Sequence, residues 1–281
     1  MNIPPLMVTD KDISLLKELY SIHSPTGKEW PLIQYILRFL KESVPDAKTW
    51  LDSFGNIYIT KGECGNGGYP TLVSHLDQVQ LLHSEDFRVK IENGTIFAVS
   101  ESSQSREGLG ADDKNGIFIC LSCLERCPSM KVFFAVGEEK GCIGSNRADM
   151  TFFRDSLYIL EPDCKGGEEI HTVLRGIPCA SEEFTAALIE NMPGYAVTEG
   201  KTSDILALTL SDAGVSCANI PAGYHNPHKD DEYTILEELE KSRSAIYSFI
   251  SKVKERFPHS YRSDTQKWVF LEGIHAPNPD L

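Results

Sequence analysis

Apolar residues recur at helical spacing in the first part of the chain: Ile13, Leu15, Leu16, Leu19 and Tyr20, with the pattern ending at Ser21. Asp10 stands ahead of that run as a candidate N-cap. The stretch Ser24-Pro25-Thr26-Gly27-Lys28-Glu29 reads as a turn, and a second amphipathic helix is predicted from Trp30 to Ser43. Phe54-Gly55-Asn56 then turns into a short strand over 57–60. From there a fixed order repeats: a short apolar run, polar residues, a helix. The runs 70–74, 131–136 and 157–160 read as buried strands. They end at His75-Leu76-Asp77, Gly137-Glu138-Glu139 and Glu161-Pro162-Asp163. A helix over 117–126 follows Asp112-Asp113-Lys114-Asn115-Gly116. Further on, the pattern gives a strand over 170–175, a helix over 181–191, a strand over 215–220 and a last helix over 236–256. The polar tract 101–108 reads as a surface loop.

Strands alternating with helices predict an α/β fold: a mixed, largely parallel central sheet flanked by helices, in one domain over 1–281. Sheets of this kind carry their sites outside the carboxyl ends of the strands, and here acids and histidines follow those ends repeatedly. With 281 residues, 41% of them hydrophobic, the chain can bury a substantial core. Its net charge of −14 argues against nucleic acid as a partner, since phosphate recognition needs a basic face. No apolar run reaches bilayer-spanning length, and the first nine residues lack a secretory signal pattern. The eight cysteines show no disulfide-framework spacing, so a reducing cytoplasm is the expected compartment. Cys120, Cys123 and Cys127 share one helix face and read as buried apolar residues rather than zinc ligands. His23, His83, His171, His259 and His275 lack matching partners, and the segment containing Trp268, Phe270 and Leu271 is expected to pack on the domain or on a partner.

The chemistry concentrates in an ordered set: His75, Asp112, Glu139, Asp163 and a histidine at 225 or 228. Imidazoles and carboxylates suit zinc, and a carboxylate can bridge two ions. Two cations held close together can act on a carbonyl oxygen and an attacking water at once. That chemistry needs five ligands and one free base. His75 and Asp77 lie two apart at a strand end, so both are expected to point the same way, with Asp77 fixing the imidazole tautomer. Glu138 and Glu139, as neighbours at a strand end, are expected to point to opposite sides, one to metal and one to the substrate water.

Taken together, these segments resemble the co-catalytic zinc exopeptidases, the superfamily of peptidase T, carboxypeptidase G, aminoacylase and the desuccinylase of lysine synthesis. The matching pieces, in family order, are Ser24 to Glu29, Ser74 to Asp77, Gly110 to Gly116, Gly137-Glu138-Glu139 with Gly141 and Gly144, Thr202-Ser203-Asp204 and the late histidine segment. The resemblance implies the phosphorylase/hydrolase-like fold and two Zn²⁺ ions, with Co²⁺ or Mn²⁺ as substitutes. His75 and Asp163 would hold one ion, Glu139 and the late histidine the other, and Asp112 would bridge them. Asp77 would orient His75, and Glu138 would be the general base. Lys114 falls where the motif has a basic residue, without an assigned role. The family segment reads His, three residues, Glu, then an aromatic or apolar residue; His228 with Glu232 and Tyr233 meets that spacing and is preferred to His225.

Many members of that superfamily insert a lid and dimerisation domain between the last two ligands. Here the interval from Asp163 to His228 is taken up by predicted strands, a helix and the Thr202 segment, and the interval from Asp77 to Asp112 is short. A form without lid or lid-mediated dimer is therefore expected. Substrate groups would then be held by His225, Arg175, Thr202, Asp204, His171 or the 101–108 tract. The expected activity is cleavage of short peptides, as an aminopeptidase or di- or tripeptidase. The alternatives are an N-acyl-amino-acid amidohydrolase, a single-zinc acyl transferase resembling glutaminyl cyclases, and a non-catalytic binding protein on the same scaffold.

Overall fold

Thr9 starts the first helix, α1 (Asp10–Ser21). Its hydroxyl accepts the Asp12 N–H at 3.2 Å while the Asp12 carboxylate accepts the Thr9 N–H at 2.8 Å. This reciprocal capping box displaces the cap expected at Asp10, because Thr9 keeps the extended backbone that an N-cap needs. The computed structural model describes residues 8–64 and 67–261; Trp268, Phe270, Leu271 and His275 lie outside the described residues.

After α2 (Trp30–Ser43), which has a proline in its first turn, come β1 (Lys48–Leu51), β2 (Ile57–Lys61) and β3 (Tyr69–His75). The chain continues through β4 (Phe87–Glu92), β5 (Thr95–Ser100), β6 (Arg106–Glu107) and α3 (Ala111–Arg126). Then follow β7 (Met130–Ala135), β8 (Ser156–Cys164), β9 (Glu169–Leu174), β10 (Ile177–Pro178) and α4 (Glu182–Asn191). The last elements are β11 (Ala196–Gly200), α5 (Asp204–Leu210), β12 (Cys217–Pro221), β13 (Tyr224–His225), β14 (Tyr233–Ile235) and α6 (Leu236–Lys252).

The main sheet runs β1-β2-β7-β3-β8-β12-β9-β10, with β11 paired to β9. Its centre, β7-β3-β8-β12, is parallel, and antiparallel strands flank it, which is the mixed sheet expected. Alternate residues of each central strand feed two apolar layers. Leu72, Phe134 and Leu160 join the layer covered by α1, α2, α3, α4 and α6, while Val73, Phe133 and Ile159 join the layer beneath α5. Burial on both faces explains why these strands read as continuous apolar runs.

A second, antiparallel sheet, β13-β14-β5-β4 with β6 on β5, occupies the interval between Asp77 and Asp112 and the segment around His225. It was not anticipated: β4 is mostly half-exposed and gives little alternation. The tract 101–108, expected as a loop, ends in β6. Ile96 and Ala98 of β5 belong to the same apolar cluster as the main sheet. The last helix ends at Lys252, short of the expected 256. No helix among the described residues is long and apolar enough to cross a membrane.

Candidate metal centre

The carboxyl ends of β3, β7 and β8, the start of α3 and the loop between β13 and β14 converge at one edge of the main sheet. His75 closes β3 and is fully buried. Its Nε2 lies 3.0 Å from Asp112 Oδ1 and 3.6 Å from Asp163 Oδ1. The other Asp112 oxygen, Oδ2, lies 3.2 Å from His228 Nε2, which is also 3.1 Å from Glu139 Oε1. Asp112 therefore stands between two donor groups, His75 with Asp163 and His228 with Glu139. Asp112 reaches this position because the chain enters α3 through Gly110 in a left-handed conformation (φ 67°) and because Gly116 lets the helix approach β8. A Cβ on Gly116 would come within 2.3 Å of Asp113 Oδ1 and 2.5 Å of Pro162 O.

Glu138 and Glu139 do not sit at a strand end. They lie in a 3₁₀ turn after Gly137, whose φ is 67°, so simple strand alternation does not set their directions. Asp77 sets them instead. Its Oδ1 accepts the Glu138 N–H at 2.9 Å, and its Oδ2 accepts the Glu139 N–H at 3.2 Å and the Thr26 hydroxyl at 2.7 Å. A Glu138 carboxylate oxygen lies within 4.8 Å of a His75 ring nitrogen and a Glu139 oxygen. Asp77 also faces His75, but its backbone carbonyl, 3.0 Å from Nδ1, is nearer than its carboxylate at 3.5 Å. β3 ends at His75, so the strand geometry expected for the pair stops one residue in.

The electrostatics describe acids packed more tightly than their own charge favours. Burial pushes the Asp163 carboxyl up to about 7, with Asp112 adding to the rise. Burial likewise raises Glu138 well above the carboxylate range, and Asp163, Asp204 and Glu139 push it further. The Asp112 and Glu139 carboxylates beside it raise His228 to about 10. Burial disfavours a charged His75, yet the surrounding Asp163, Asp112 and Asp77 outweigh it and raise the imidazole well above its ordinary value. The cluster thus calls for positive charge between its members.

Zinc fits this donor set. Ligands about 2.1 Å from a tetrahedral ion stand about 3.4 Å from one another. The contacts given above run from 3.0 to 3.6 Å. Glu139 Oε1 is buried without a hydrogen bond of good geometry, which suits a ligand atom.

The other sequence-predicted residues fall elsewhere. His225 Nε2 pairs with Glu238 at 2.7 Å and its ring stacks on Tyr233, so it stands apart from the cluster. Arg175 is exposed in the turn between β9 and β10, with Nη1 3.4 Å from Thr202 Oγ1; no described contact joins either to the cluster. Asp204 is fully buried, accepts the Ser145 hydroxyl at 2.5 Å and lies behind the Glu138 turn. His171 faces Cys164 Sγ at 3.6 Å and Glu169 at 3.7 Å. Lys114 is buried, donates to Ile22 O at 2.6 Å and to Gln78 Oε1, and burial lowers its ammonium to about 7. It ties the turn after α1 to the loop after β3. Cys120, Cys123 and Cys127 are buried in the apolar core.

Sequence reasoning passed over Thr26, which steadies Asp77, and Gln78 and Gln80, which line the loop behind it. Thr26 lies in the Ser24-to-Glu29 segment that carries the resemblance; Gln78 and Gln80 lie in no such motif.

In fold, the chain is an α/β protein similar to solved peptidases, with the mixed, helix-flanked sheet that its order of strands and helices predicts. Aminopeptidase PepT from Bacillus cereus superposes with a TM-score of 0.71 at 15% identity, covering 86% of this chain and 99% of that one. A tripeptidase from Staphylococcus aureus gives a TM-score of 0.67 at 14% identity, covering 87% and 98%. In sequence, a putative [LysW]-lysine/[LysW]-ornithine hydrolase from Pyrobaculum aerophilum is 33% identical over 102 residues, 36% of this chain and 25% of the relative. The match thus spans about a quarter of the relative's length. No protein-family model matches the chain.

Proposed function

We propose that this protein is a two-zinc metallohydrolase that cleaves peptide bonds of short peptides, as an aminopeptidase or di- or tripeptidase. The observation that carries the reading is the pair of donor groups sharing Asp112, with the Glu138 carboxylate held beside them. His75 and Asp163 would hold one ion, His228 and Glu139 would hold the other, and Asp112 is placed to serve both. Bound zinc, or cobalt or manganese in its stead, supplies Lewis-acid polarisation of the scissile carbonyl and acidification of water. Glu138 takes a proton from the attacking water and returns it to the leaving amine. Asp77 keeps the Glu138–Glu139 turn and the His75 ring in register.

A cleft of about 570 Å³ runs along the segments that follow Asp163 and flank His228, lined by Lys165, Gly167, Glu169, His225, Pro227 and Lys229. That volume suits a small ligand such as a short peptide. The cleft takes over the substrate contacts assigned from sequence to Arg175 and Thr202, and His225 keeps a substrate-side role within it. We read the chain as one catalytic domain without a lid.

Two of the alternatives differ in measurable ways. An N-acyl-amino-acid amidohydrolase would use the same residues on a different amide. The relative from Pyrobaculum, a hydrolase by name, keeps that reading in view. A single-zinc transferase would use one donor group, whereas two groups that share Asp112 stand among the described residues.

The test is zinc content per chain for wild type, Asp112→Ala and His228→Ala, followed by hydrolysis of a di- and tripeptide panel and an N-acyl amino acid panel. Two zincs in the wild type, loss of both in Asp112→Ala and of one in His228→Ala, with peptides preferred, is the expected result. One zinc or none in resupplied wild type overturns the two-metal reading, and preference for N-acyl amino acids moves the substrate assignment.

A further inference from the structure

Glu232 is a fully buried acid that makes no salt bridge within 4 Å among the described residues. Its oxygens instead accept backbone N–H groups. Oε2 takes the Gly110 N–H at 2.6 Å, and Oε1 takes the Asp112 N–H at 3.1 Å. Gln80 Nε2 adds a third donor to Oε2 at 3.3 Å. Burying a carboxylate on neutral donors is costly, and it persists only where the geometry over-determines it. The left-handed Gly110 turns its own N–H and that of Asp112 toward the same carboxylate.

The position of Glu232 along the chain gives that grip its meaning. It lies four residues after His228, at the end of the segment that carries this histidine into β14. One end of the segment touches Asp112 through its side chain, at Oδ2, and the other touches it through its backbone N–H. Arg106 of β6 fastens the same point by donating to the Glu232 carbonyl at 3.0 Å. The small sheet, the late-histidine segment and the start of α3 therefore meet at one residue.

We infer that Glu232 is a positioning residue that fixes the bridging carboxylate of Asp112 relative to His228, and so sets the affinity of both metal positions together. The inference rests on the two-metal reading above. A residue holding one ligand alone would affect one position; a residue holding the shared ligand must affect two.

Glu232→Gln is the informative variant, because both carboxylate oxygens accept N–H groups. The amide keeps one acceptor and turns an NH₂ toward the other donor. Full-length wild type, Glu232→Gln and His228→Ala are stripped of metal and titrated with zinc against a chromophoric chelator. Cobalt loading, followed by its visible absorption, reports ligand geometry, and thermal melts of the metal-free proteins report folding. Loss of an outer hydrogen-bond partner typically weakens metal binding about 10- to 100-fold. The expected result is a loss of that size at both positions in Glu232→Gln, with an altered cobalt spectrum and a metal-free melt close to wild type. His228→Ala should weaken one position only. Should Glu232→Gln fail to fold, Gln80→Ala loosens the same carboxylate and Arg106→Ala the backbone of the same residue, and a smaller loss at both positions is expected of them. Unchanged zinc affinity in the folded variants, or loss at a single position, overturns the inference while leaving two-metal binding intact. A wild type that binds no zinc pair overturns both.

Discussion

Asp77→Asn is the most direct probe of how the site is held. Asp77 Oδ1 accepts the Glu138 N–H at 2.9 Å and faces His75 Nδ1 at 3.5 Å, while Oδ2 accepts the Thr26 hydroxyl at 2.7 Å and the Glu139 N–H at 3.2 Å. The amide is nearly isosteric, so the variant removes charge and one acceptor without opening a cavity. Whichever oxygen becomes NH₂, one of the two glutamate N–H groups loses its acceptor. The Thr26 hydroxyl can rotate to accept instead, so it limits the damage on its side. A hydrogen bond to a charged group contributes about 1.5–3 kcal/mol. At about 1.4 kcal/mol per factor of ten, its loss corresponds to about 10- to 100-fold weaker zinc binding if it acts on the bound state alone. The assay is a chelator competition on reconstituted protein, with kcat/KM on a dipeptide at saturating zinc measured beside it. A zinc Kd within a factor of two of wild type would refute the reasoning, because the Glu138–Glu139 turn and His75 would then hold their directions without Asp77.

Glu138→Gln should lower kcat by about 10²- to 10⁴-fold while zinc stoichiometry stays unchanged, separating the base from the ligands in one kinetic and one elemental measurement. Lys229→Glu places a negative charge on the cleft wall and should raise KM for dipeptides more than it lowers kcat; equal effects on both would argue that the cleft does not hold substrate. Away from the site, Arg243 is buried and pairs with Asp12 at 2.7 Å and with Glu240. Burial favours protonation of Asp12, but Arg243 and the Thr9 hydrogen bonds outweigh it and hold its carboxyl below the usual value. Its contribution is therefore present above the unfolded value of about 4 and lost as pH falls through the lower folded value. In urea melts, Asp12→Asn should be less stable than wild type by about 1.5–3 kcal/mol near neutrality, with the gap closing below about pH 4; a gap that persists in acid would contradict this. Tyr20→Phe removes a hydroxyl that donates to Asn115 Oδ1 at 2.5 Å and should cost about 1 kcal/mol in the same assay.

The sequence by itself determined the elements whose residues are buried on both sides or along a full helix stripe. β3, β7 and β8 were legible as apolar runs, and α1, α2 and α6 as amphipathic helices, because burial imposes a period that one chain can display. It also specified the candidate ligands, since His75, Asp112, Glu139 and Asp163 each follow a strand or open a helix in an order that carries the resemblance. Tertiary structure decided what no local pattern encodes. The small sheet escaped because β4 and β6 lie near the surface, where solvent tolerates any side chain and periodicity fades. The directions of Glu138 and Glu139 came from a 3₁₀ turn gripped by Asp77, sixty-odd residues away in the chain. The separation of His225 from His228 came from a loop that pairs the first with Glu238 and brings the second to Asp112. Arg175 and Thr202 paired with each other, and no described contact joins either to the acid cluster. Sequence spacing constrains which residues can share a strand or a helix face. Distances across elements depend on how the layers pack, and the candidate metal centre is made almost entirely of such distances.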